Sequence, residues 1–271
     1  MTHFICKTCG IQHPDSDSPP ATCPICEDER QYIGHDGQQW TTLEELQATH
    51  KNVFKEAEPN LIGIGTEPRF AIGQRGLLVQ STEGNVLWDC ISLLDDETIA
   101  AVNDLGGIDK IAISHPHFYS SMVEWSKAFD APIYIHADNK AWVMHPHPAI
   151  EFWQGETLQL NSTMTIIHTG GHFDGSQLLH WADGAEGKGV LLTGDTITVV
   201  ADRRYVSFMY SYPNQIPLSP SAVRKIVDAV APFAYDRIYN GWFGAVLKEN
   251  AQHGVTYSAQ RYIDGICLLR G

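Results

Sequence analysis

Two pairs of cysteines near the N-terminus constrain this chain more than any other feature. Cys6 and Cys9 form one C-x-x-C pair, Cys23 and Cys26 form a second, and 13 residues separate the pairs. Two residues between cysteines let both sulfurs face one ion, so the pairs can supply four thiolates to a tetrahedral metal site. The segment is short and polar, and a bound metal would supply the stability that its small core lacks. We therefore predict a four-cysteine metal module over residues 1–40.

The residues that follow the two pairs bear on the identity of the ion. The pattern resembles zinc ribbons and rubredoxin-like knuckles over residues 3–40. Rubredoxins usually carry Gly after each pair, and here Gly10 follows the first pair but Glu27 follows the second. We predict structural Zn in this module. The alternative is a redox protein that holds iron there and passes electrons to a metal in the main domain.

Composition narrows the class of partner. The chain is 43% hydrophobic and 18% charged, as in ordinary globular proteins, and no apolar run reaches the roughly 18 residues that a membrane span needs. Its formal charge of −14 argues against a nucleic-acid partner. The first residues lack the basic start and the apolar core, about 7 to 15 residues long, of a secretory signal. We expect a cytoplasmic protein that acts on a small molecule, with neither nucleic acid nor membrane as its partner.

A short linker helix is predicted over residues 41–55, between the module and the main domain. Thr41 or Thr42 is a suitable N-cap, and Glu44 and Glu45 fall in the first turn, where acidic side chains favour helices.

From residue 56 to residue 271, short apolar runs alternate with amphipathic stretches, which predicts a mixed α/β domain with outer helices and inner sheets. The predicted strands are 61–64, 76–80, 86–89, 110–114, 132–136, 164–168, 177–181, 190–194 and 237–240. The predicted helices are 96–104, 121–129, 138–143 and 219–230.

Metal-ligating side chains gather where three of these strands end. His115 and His117 follow one strand, His172 follows a second after two glycines, and Asp195 follows a third. Residues at strand ends lie on loops that a rigid sheet holds in place, where functional sites are usually built. Two imidazoles at i and i+2, with a third from another loop, make a His₃ set that leaves a coordination position open for water.

These residues also carry a family resemblance. Ser114-His115-Pro116-His117, Gly170-Gly171-His172 and Thr193-Gly194-Asp195, in this order, resemble the metallo-β-lactamase superfamily over residues 60–260. The resemblance implies a four-layer αββα sandwich with the metal at one edge of two sheets. It also implies that His115, His117 and His172 hold the first metal, with Asp195 reaching the site.

The departures from the family pattern concern the second metal. The family usually places Asp and His where this chain has Tyr119 and Ser120, and a late histidine where it has Trp242. Three ligands are missing together, so we expect a single ion, Zn or Fe, in the main domain.

The resulting hypothesis is a hydrolase in which metal-bound water attacks an ester, thioester or lactone carbonyl. Asp195 would complete the coordination or orient the water, and Tyr119 would donate a hydrogen bond to an oxyanion or leaving group. The alternatives are that Asp195 only braces its strand end and that the protein is a non-catalytic binding or regulatory protein on the same fold. The fold hosts many reactions and does not choose among substrates.

Two further features are left open by the sequence. His136 and Asp138 end a strand near the expected active edge and are candidates for substrate contact or for supporting the site, while His168 is assigned no role. The aromatic segment over 203–217 suits a pocket wall, a contact between copies of the chain, or simple packing.

Overall fold

A computed structural model describes residues 2–268 of the 271-residue chain. Met1, the first residue of the predicted module, lies outside the described residues. Residues 269–271, the last residues of the predicted main domain, also lie outside them. The chain divides into two compact units, one formed by residues 1–135 and 140–152 and the other by residues 136–139 and 153–271. The predicted domain boundaries, with the module ending at residue 40 and the main domain beginning at residue 56, stay a prediction.

The four-cysteine segment of the first unit forms a small antiparallel sheet. Its elements are β1 (Thr2–Cys6), β2 (Gln12–Ser16), the single-turn helix α1 (Pro24–Glu27) and β3 (Trp40–Thr41), with the strand order β2-β1-β3. Pro24 begins α1, where a missing N–H costs nothing because that position has no intrahelical acceptor. Gly10 follows the first cysteine pair with a φ of +82°, a conformation that glycine adopts without steric cost.

The predicted linker helix is wrong over most of its length. Helix α2 covers only Leu43–Gln47, and strand β4 (Lys51–Glu58) begins four residues after it ends. The predicted N-cap is confirmed, since the Thr42 side chain accepts the N–H of Glu45. The charged residues of β4 favour a helix locally, but the whole segment pairs with the next strand, β5 (Leu61–Glu67). Tertiary pairing therefore overrides helix propensity here.

The main sheet of the first unit runs in the order β10-β9-β8-β7-β6-β5-β4. The remaining elements of this unit are β6 (Arg75–Val79), β7 (Val86–Trp88), α3 (Asp96–Asp104), β8 (Lys110–Ala112), α4 (Met122–Phe129), β9 (Ile133–His136) and β10 (Ile150–Trp153). Strands β4 to β7 are antiparallel, whereas β7, β8 and β9 are parallel. The carboxyl ends of parallel strands meet at one edge, where ligands usually bind, and the strand before His115 is one of them.

The second unit contains a six-stranded sheet in the order β11-β12-β13-β14-β19-β20. Its elements are β11 (Thr157–Gln159), β12 (Met164–His168), β13 (Gln177–Trp181), α5 (Gly184–Gly187), β14 (Val190–Leu192), β15 (Thr198–Val199), β16 (Val206–Ser207), β17 (Met209–Ser211), β18 (Ile216–Pro217), α6 (Pro220–Val230), β19 (Arg237–Tyr239), β20 (Val246–Leu247) and α7 (Ala251–Leu268). The parallel pair β14 and β19 lies inside an otherwise antiparallel sheet.

Helices α6 and α7 cover the core of this unit. Val223, Ile226 and Val230 lie one turn apart on α6 and are buried, as an amphipathic helix requires. They belong to the same apolar cluster as Val255 and Ile263 of α7. All nine predicted strands overlap observed ones, and the helix over 96–104 has its predicted bounds. The predicted helix over 138–143 is a 3₁₀ segment, Ala137–Trp142, and α7 was not predicted.

Across residues 2–268, no helix combines the length and the apolar character that crossing a membrane would demand.

Candidate metal centres

The four cysteines of the module lie together in a buried cluster. Their four sulfur atoms all lie within 4.8 Å of one another. The sulfurs of Cys6 and Cys26 are 3.6 Å apart, and those of Cys9 and Cys23 are 3.7 Å apart. All four are present as thiols and not as disulfides. Zn–S bonds of about 2.3 Å in a tetrahedron place the sulfurs about 3.8 Å apart, so the cluster has the size of a four-thiolate metal site.

The surroundings of this cluster shift the pKa values of its thiols in opposite directions. The amide of Gln38 donates to the sulfur of Cys6 over 3.2 Å. Hydrogen bonds from Cys26, Cys6 and Cys9 hold the pKa of the Cys23 thiol well below its usual range. Burial raises the pKa of the Cys9 thiol, so a thiolate there requires a cation beside it. The donor set therefore fits a bound metal ion.

In the first unit, His115 and His117 are held by the turn that follows β8. The backbone N–H of Ser114 donates to a carboxylate oxygen of Asp89 over 2.7 Å, which fixes the start of the turn. The hydroxyl of Ser114 lies 2.8 Å from Nδ1 of His115 and so orients the ring. The imidazoles of His115 and His117 are buried, with ring centroids 5.1 Å apart. Both rings thus occupy defined positions on one tight loop, as the sequence predicted.

In the second unit, His172 is presented by a glycine turn after β12. Gly171 has a φ of +92°, and a Cβ atom there would lie 2.8 Å from Cδ1 of Ile226, so only glycine fits. Nδ1 of His172 lies 3.0 Å from the carbonyl oxygen of Met209. A carbonyl accepts only, so in the neutral ring Nδ1 carries the proton and Nε2 keeps the lone pair that a metal needs.

Asp195 lies beside His172 at the end of β14. Its Oδ2 is 3.9 Å from Nε2 of His172, and both side chains are buried. The hydroxyl of Tyr212 donates to the backbone carbonyl of Asp195 over 2.9 Å. Burial, together with the nearby Asp195 carboxylate, raises the pKa of Tyr212 well above its usual range, so this donor keeps its proton. Met209 and Tyr212 thus support the two site residues of this unit.

The four residues predicted at the three strand ends divide between the two units. His115 and His117 belong to the first unit, and His172 and Asp195 belong to the second. All four side chains are buried. Three imidazoles and a carboxylate are a donor set that suits zinc or iron.

The residues at the missing second-site positions have other surroundings. Ser120 accepts a hydrogen bond from Gln74 over 2.8 Å, and its own carbonyl accepts the N–H of Gln12 over 3.0 Å. Tyr119 is buried just after the 3₁₀ turn that carries His117, and Trp242 is half-buried.

The aromatic segment over 203–217 serves the site mainly through its backbone. Phe208 is buried in the core of the second unit, whereas Met209 contributes the carbonyl that orients His172. Sequence reasoning had no signal for this contact, because a backbone carbonyl is present in every residue type. A third group of possible ligands, His136, Asp138 and His168, also lies together in the second unit.

Comparison with known proteins places the fold. No family model matches the chain. The metallo-β-lactamase DIM-1 is 14% identical with a TM-score of 0.58, and the likeness covers 78% of this chain and 98% of that one. The metallo-β-lactamase FIM-1 from Pseudomonas aeruginosa, in its mono-zinc form, is 15% identical with a TM-score of 0.57, covering 78% of this chain and 95% of that one. The chain therefore has the metallo-β-lactamase fold, and the predicted α/β fold class is confirmed.

A closer relative defines the family within that class. The "Uncharacterized protein YmaE" of Bacillus subtilis (strain 168) is 54% identical over 268 residues, which cover 98% of this chain and 97% of that protein. The chain belongs to the same family as YmaE.

Proposed function

We propose that this protein is a metal-dependent hydrolase in which water attacks the carbonyl of an ester, thioester or lactone and breaks that bond. The observation that carries the proposal is that three histidines and one aspartate, all buried, follow the ends of three strands. Such a concentration of ligand side chains at strand ends is typical of a metal site and rare in ordinary packing. The acidic chain, with 18 basic against 32 acidic side chains, favours an uncharged carbonyl substrate over a phosphate ester.

The chain's own residues would hold and tune the metal. His115, His117 and His172 would be its ligands, and Asp195 would complete the set or orient the attacking water. When bound, the ion would polarise the carbonyl and lower the pKa of a coordinated water to about 7. The carbonyl of Met209 and the hydroxyl of Ser114 fix two of the rings before any ion arrives, which reduces the cost of ordering them.

A single ion is the proposed state of this centre. The positions of the usual second-site ligands are taken by Tyr119, Ser120 and Trp242, and the hydroxyl of Ser120 both accepts from Gln74 and donates to the carbonyl of Cys90. A neutral hydroxyl with these two contacts is a poor exchange for an imidazole or a carboxylate. FIM-1, which shares the fold, is described in a mono-zinc form. We propose zinc in the module and zinc or iron in the main centre.

The test compares His117→Ala with the matched control His147→Ala. Each is the second histidine of a His-Pro-His triplet, but His147 belongs to no group of ligand candidates within residues 2–268. We expect His117→Ala to lose the main-domain metal and the hydrolysis of aryl esters, thioesters and lactones, while the control keeps both. Metal content is measured by elemental analysis of each variant.

Tyr119→Phe separates assistance from metal binding. This variant should keep its metal and lose about 10² to 10³ in rate if the hydroxyl donates to a developing oxyanion. If the wild type holds its metal but hydrolyses no compound in the panel, the hydrolase proposal fails and a binding protein on this fold is favoured. If His117→Ala stays fully active, the site assignment is wrong.

A further inference from the structure

A cavity of about 600 Å³ lies within the second unit, and the candidate ligands of the main centre are not among its described lining residues. Its walls come from the turn between β15 and β16, from the segment after β20, and from the first turn of α7. The lining includes the cationic side chains of Arg203, Arg204 and Lys248, together with His253. Small-molecule sites usually have volumes of about 300 to 1,000 Å³, so the cavity has a suitable size for one.

The charge of this lining is opposite to that of the chain. The chain carries 18 basic and 32 acidic side chains, which give a formal charge of −14. In the lining, two guanidinium groups and one ammonium group stand against one carboxylate, that of Glu249, so positive groups exceed negative ones by two. Just outside the lining, Asp202 pairs with Arg204. Arg261 lies over the ring of Tyr205 and offsets that carboxylate. A local excess of positive charge in an acidic protein attracts anions.

Both arginines are held in place by contacts that leave some of their donors unused. Nη1 of Arg203 donates to the carbonyl of Gly244. Arg204 donates through Nε and Nη2 to the carboxylate of Asp202 over 2.6 and 3.0 Å, and its guanidinium lies 5.4 Å from the ring centroid of Tyr205. A guanidinium group has five N–H donors, so each arginine retains donors that these bonds do not use. Side chains that are ordered before a ligand arrives lower the cost of binding it.

The backbone of the turn between β15 and β16 is unusual at Arg203. Its φ is +64°, in the left-handed region that residues other than glycine rarely adopt. The N–H of Arg203 donates to the carbonyl of Val200 over 2.9 Å and closes the turn. Non-glycine residues in this conformation concentrate at ligand-binding and active sites. The conformation of Arg203 therefore adds an observation, independent of charge, that points to a ligand.

The same turn is fixed against α7. A Cβ atom on Gly254 would lie 2.9 Å from the carbonyl oxygen of Arg204, so only glycine allows this close approach. The N–H of Val206 donates to the hydroxyl of Ser258, a buried residue of α7, over 3.0 Å. These contacts bring the arginines to the start of an 18-residue helix. Its N-terminal end adds a partial positive charge to that of the side chains.

Lys248 supplies the third cation of the lining. Its carbonyl accepts a hydrogen bond from Nε of Arg237 over 3.0 Å, which fixes the backbone at this position. Its ammonium group pairs with no carboxylate in the part of the chain from residue 2 to residue 268. An exposed ammonium group beside two ordered guanidinium groups can therefore take an anionic ligand without first breaking an ion pair.

We propose that this cavity binds a small molecule that carries a phosphate group, with Arg203, Arg204 and Lys248 donating to the phosphate oxygens. Guanidinium groups match the geometry of phosphate, and a phosphate monoester carries about −1.5 to −2 charges at pH 7, close to the excess in the lining. Inorganic phosphate would fill only part of the cavity, and the half-buried Tyr205 and Val246 offer apolar surface to the rest of the molecule. A nucleic acid needs a longer basic surface than one cavity provides.

The competing explanation is that these cations are only solvated surface charges, which would bind no anion in a saturable way. The experiment is a calorimetric titration of the full-length, metal-loaded protein with phenylphosphonate, a stable analogue of a phosphate monoester. We expect one ligand per chain, with an affinity that falls as the salt concentration rises. Lys248→Gln and Arg203→Gln should each weaken binding by about 10-fold to 100-fold, because each removes a charge-assisted hydrogen bond. Arg224→Gln removes an exposed arginine outside the lining and is the matched control, which should bind as the wild type does.

Further ligands test the chemical class. Inorganic phosphate should compete with phenylphosphonate, whereas benzoate, which carries a single charge, should bind at least about tenfold more weakly. Equal binding of benzoate would refute the phosphate assignment. Tighter binding of a single-stranded oligonucleotide than of phenylphosphonate would refute the small-molecule ligand.

Variants of the main centre provide the last control, because phosphonate oxygens can also bind a metal ion. His117→Ala should keep its affinity for phenylphosphonate, whether or not the protein is a hydrolase. Loss of binding in His117→Ala, with full binding in Lys248→Gln, would assign the ligand to the main centre and overturn the proposal. The absence of binding to the wild type at millimolar phenylphosphonate, or equal affinities in the wild type, Lys248→Gln and Arg203→Gln, would also overturn it.

Discussion

Gly10→Ala is the substitution whose effect the structure determines most closely. Gly10 follows the first cysteine pair with a φ of +82°, and a Cβ atom there would lie 2.6 Å from the hydroxyl oxygen of Ser92. That hydroxyl donates to the carbonyl of Gly10 over 2.7 Å, and Ser92 is buried. Gly37, also in the module, has a φ of +80° and open space around its Cβ position. It is therefore a matched control.

The two variants share one cost and differ in another. Each forces alanine into the left-handed region, which costs about 1 kcal/mol. Only Gly10→Ala also displaces Ser92, and a buried carbonyl that loses its donor costs about 1 to 3 kcal/mol more. We expect a loss of about 1 kcal/mol in unfolding free energy for Gly37→Ala and of about 2 to 4 kcal/mol for Gly10→Ala.

The assay is urea unfolding with metal present, comparing midpoints at constant slope. Ser92→Ala completes a double-mutant cycle. In that background the contact with the Ser92 hydroxyl is gone, and only the left-handed penalty and the 3.2 Å approach to Cβ of Ala71 remain. Gly10→Ala should therefore cost less than in the wild type, and the two substitutions should couple strongly. Equal losses in Gly10→Ala and Gly37→Ala, or additive effects with Ser92→Ala, would refute the reasoning.

Two further predictions concern stability. The hydroxyl of Ser219 caps α6 by accepting the N–H of Ala222 over 3.2 Å. Ser219→Ala removes this cap and should lower the unfolding free energy by about 1 kcal/mol in the same assay. Burial, and then the nearby His3, lower the pKa of His145 to about 4, so its neutral form is favoured in the folded state. The stability that neutral His145 contributes to the folded state is complete above the unfolded pKa of about 6.5 and is lost as pH falls toward 4. The unfolding free energy measured across that range should therefore depend less on pH in His145→Gln than in His253→Gln.

The sequence predicted the strands and the site residues where local patterns coincide with tertiary structure. β12 and β13 have their predicted bounds because each is a compact apolar run closed by polar or glycine residues. The candidate ligands follow such strands directly, so locating a strand also located these candidates. Their prediction used no long-range information beyond the order of three motifs.

The elements that were missed depend on partners distant in the chain. β4 carries Lys and Glu residues that suit a helix, and only its pairing with β5 shows that it is a strand. α7 contains Gly254, which disfavours a helix locally, yet a Cβ atom there would lie 2.9 Å from the backbone of Arg204. The glycine thus permits a close approach that the sequence does not record. His168 was assigned no role because the residues grouped with it, His136 and Asp138, are 30 or more residues away.

Backbone contacts made just after the first cysteine pair tie the module to the rest of the first unit, so the module cannot be removed without losing them. The carbonyl of Gly10 accepts a hydrogen bond from the hydroxyl of Ser92, and the N–H of Gln12 donates to the carbonyl of Ser120. Ser120 closes the turn that begins with the candidate ligands His115 and His117. Ile5 of the module also shares an apolar cluster with Leu46 and Leu93. A chain cut after residue 41 would lose these contacts and expose that cluster. The module is therefore a fixed part of the scaffold beneath His115 and His117, and exchanging it for a tag or another domain would disturb the site that it adjoins.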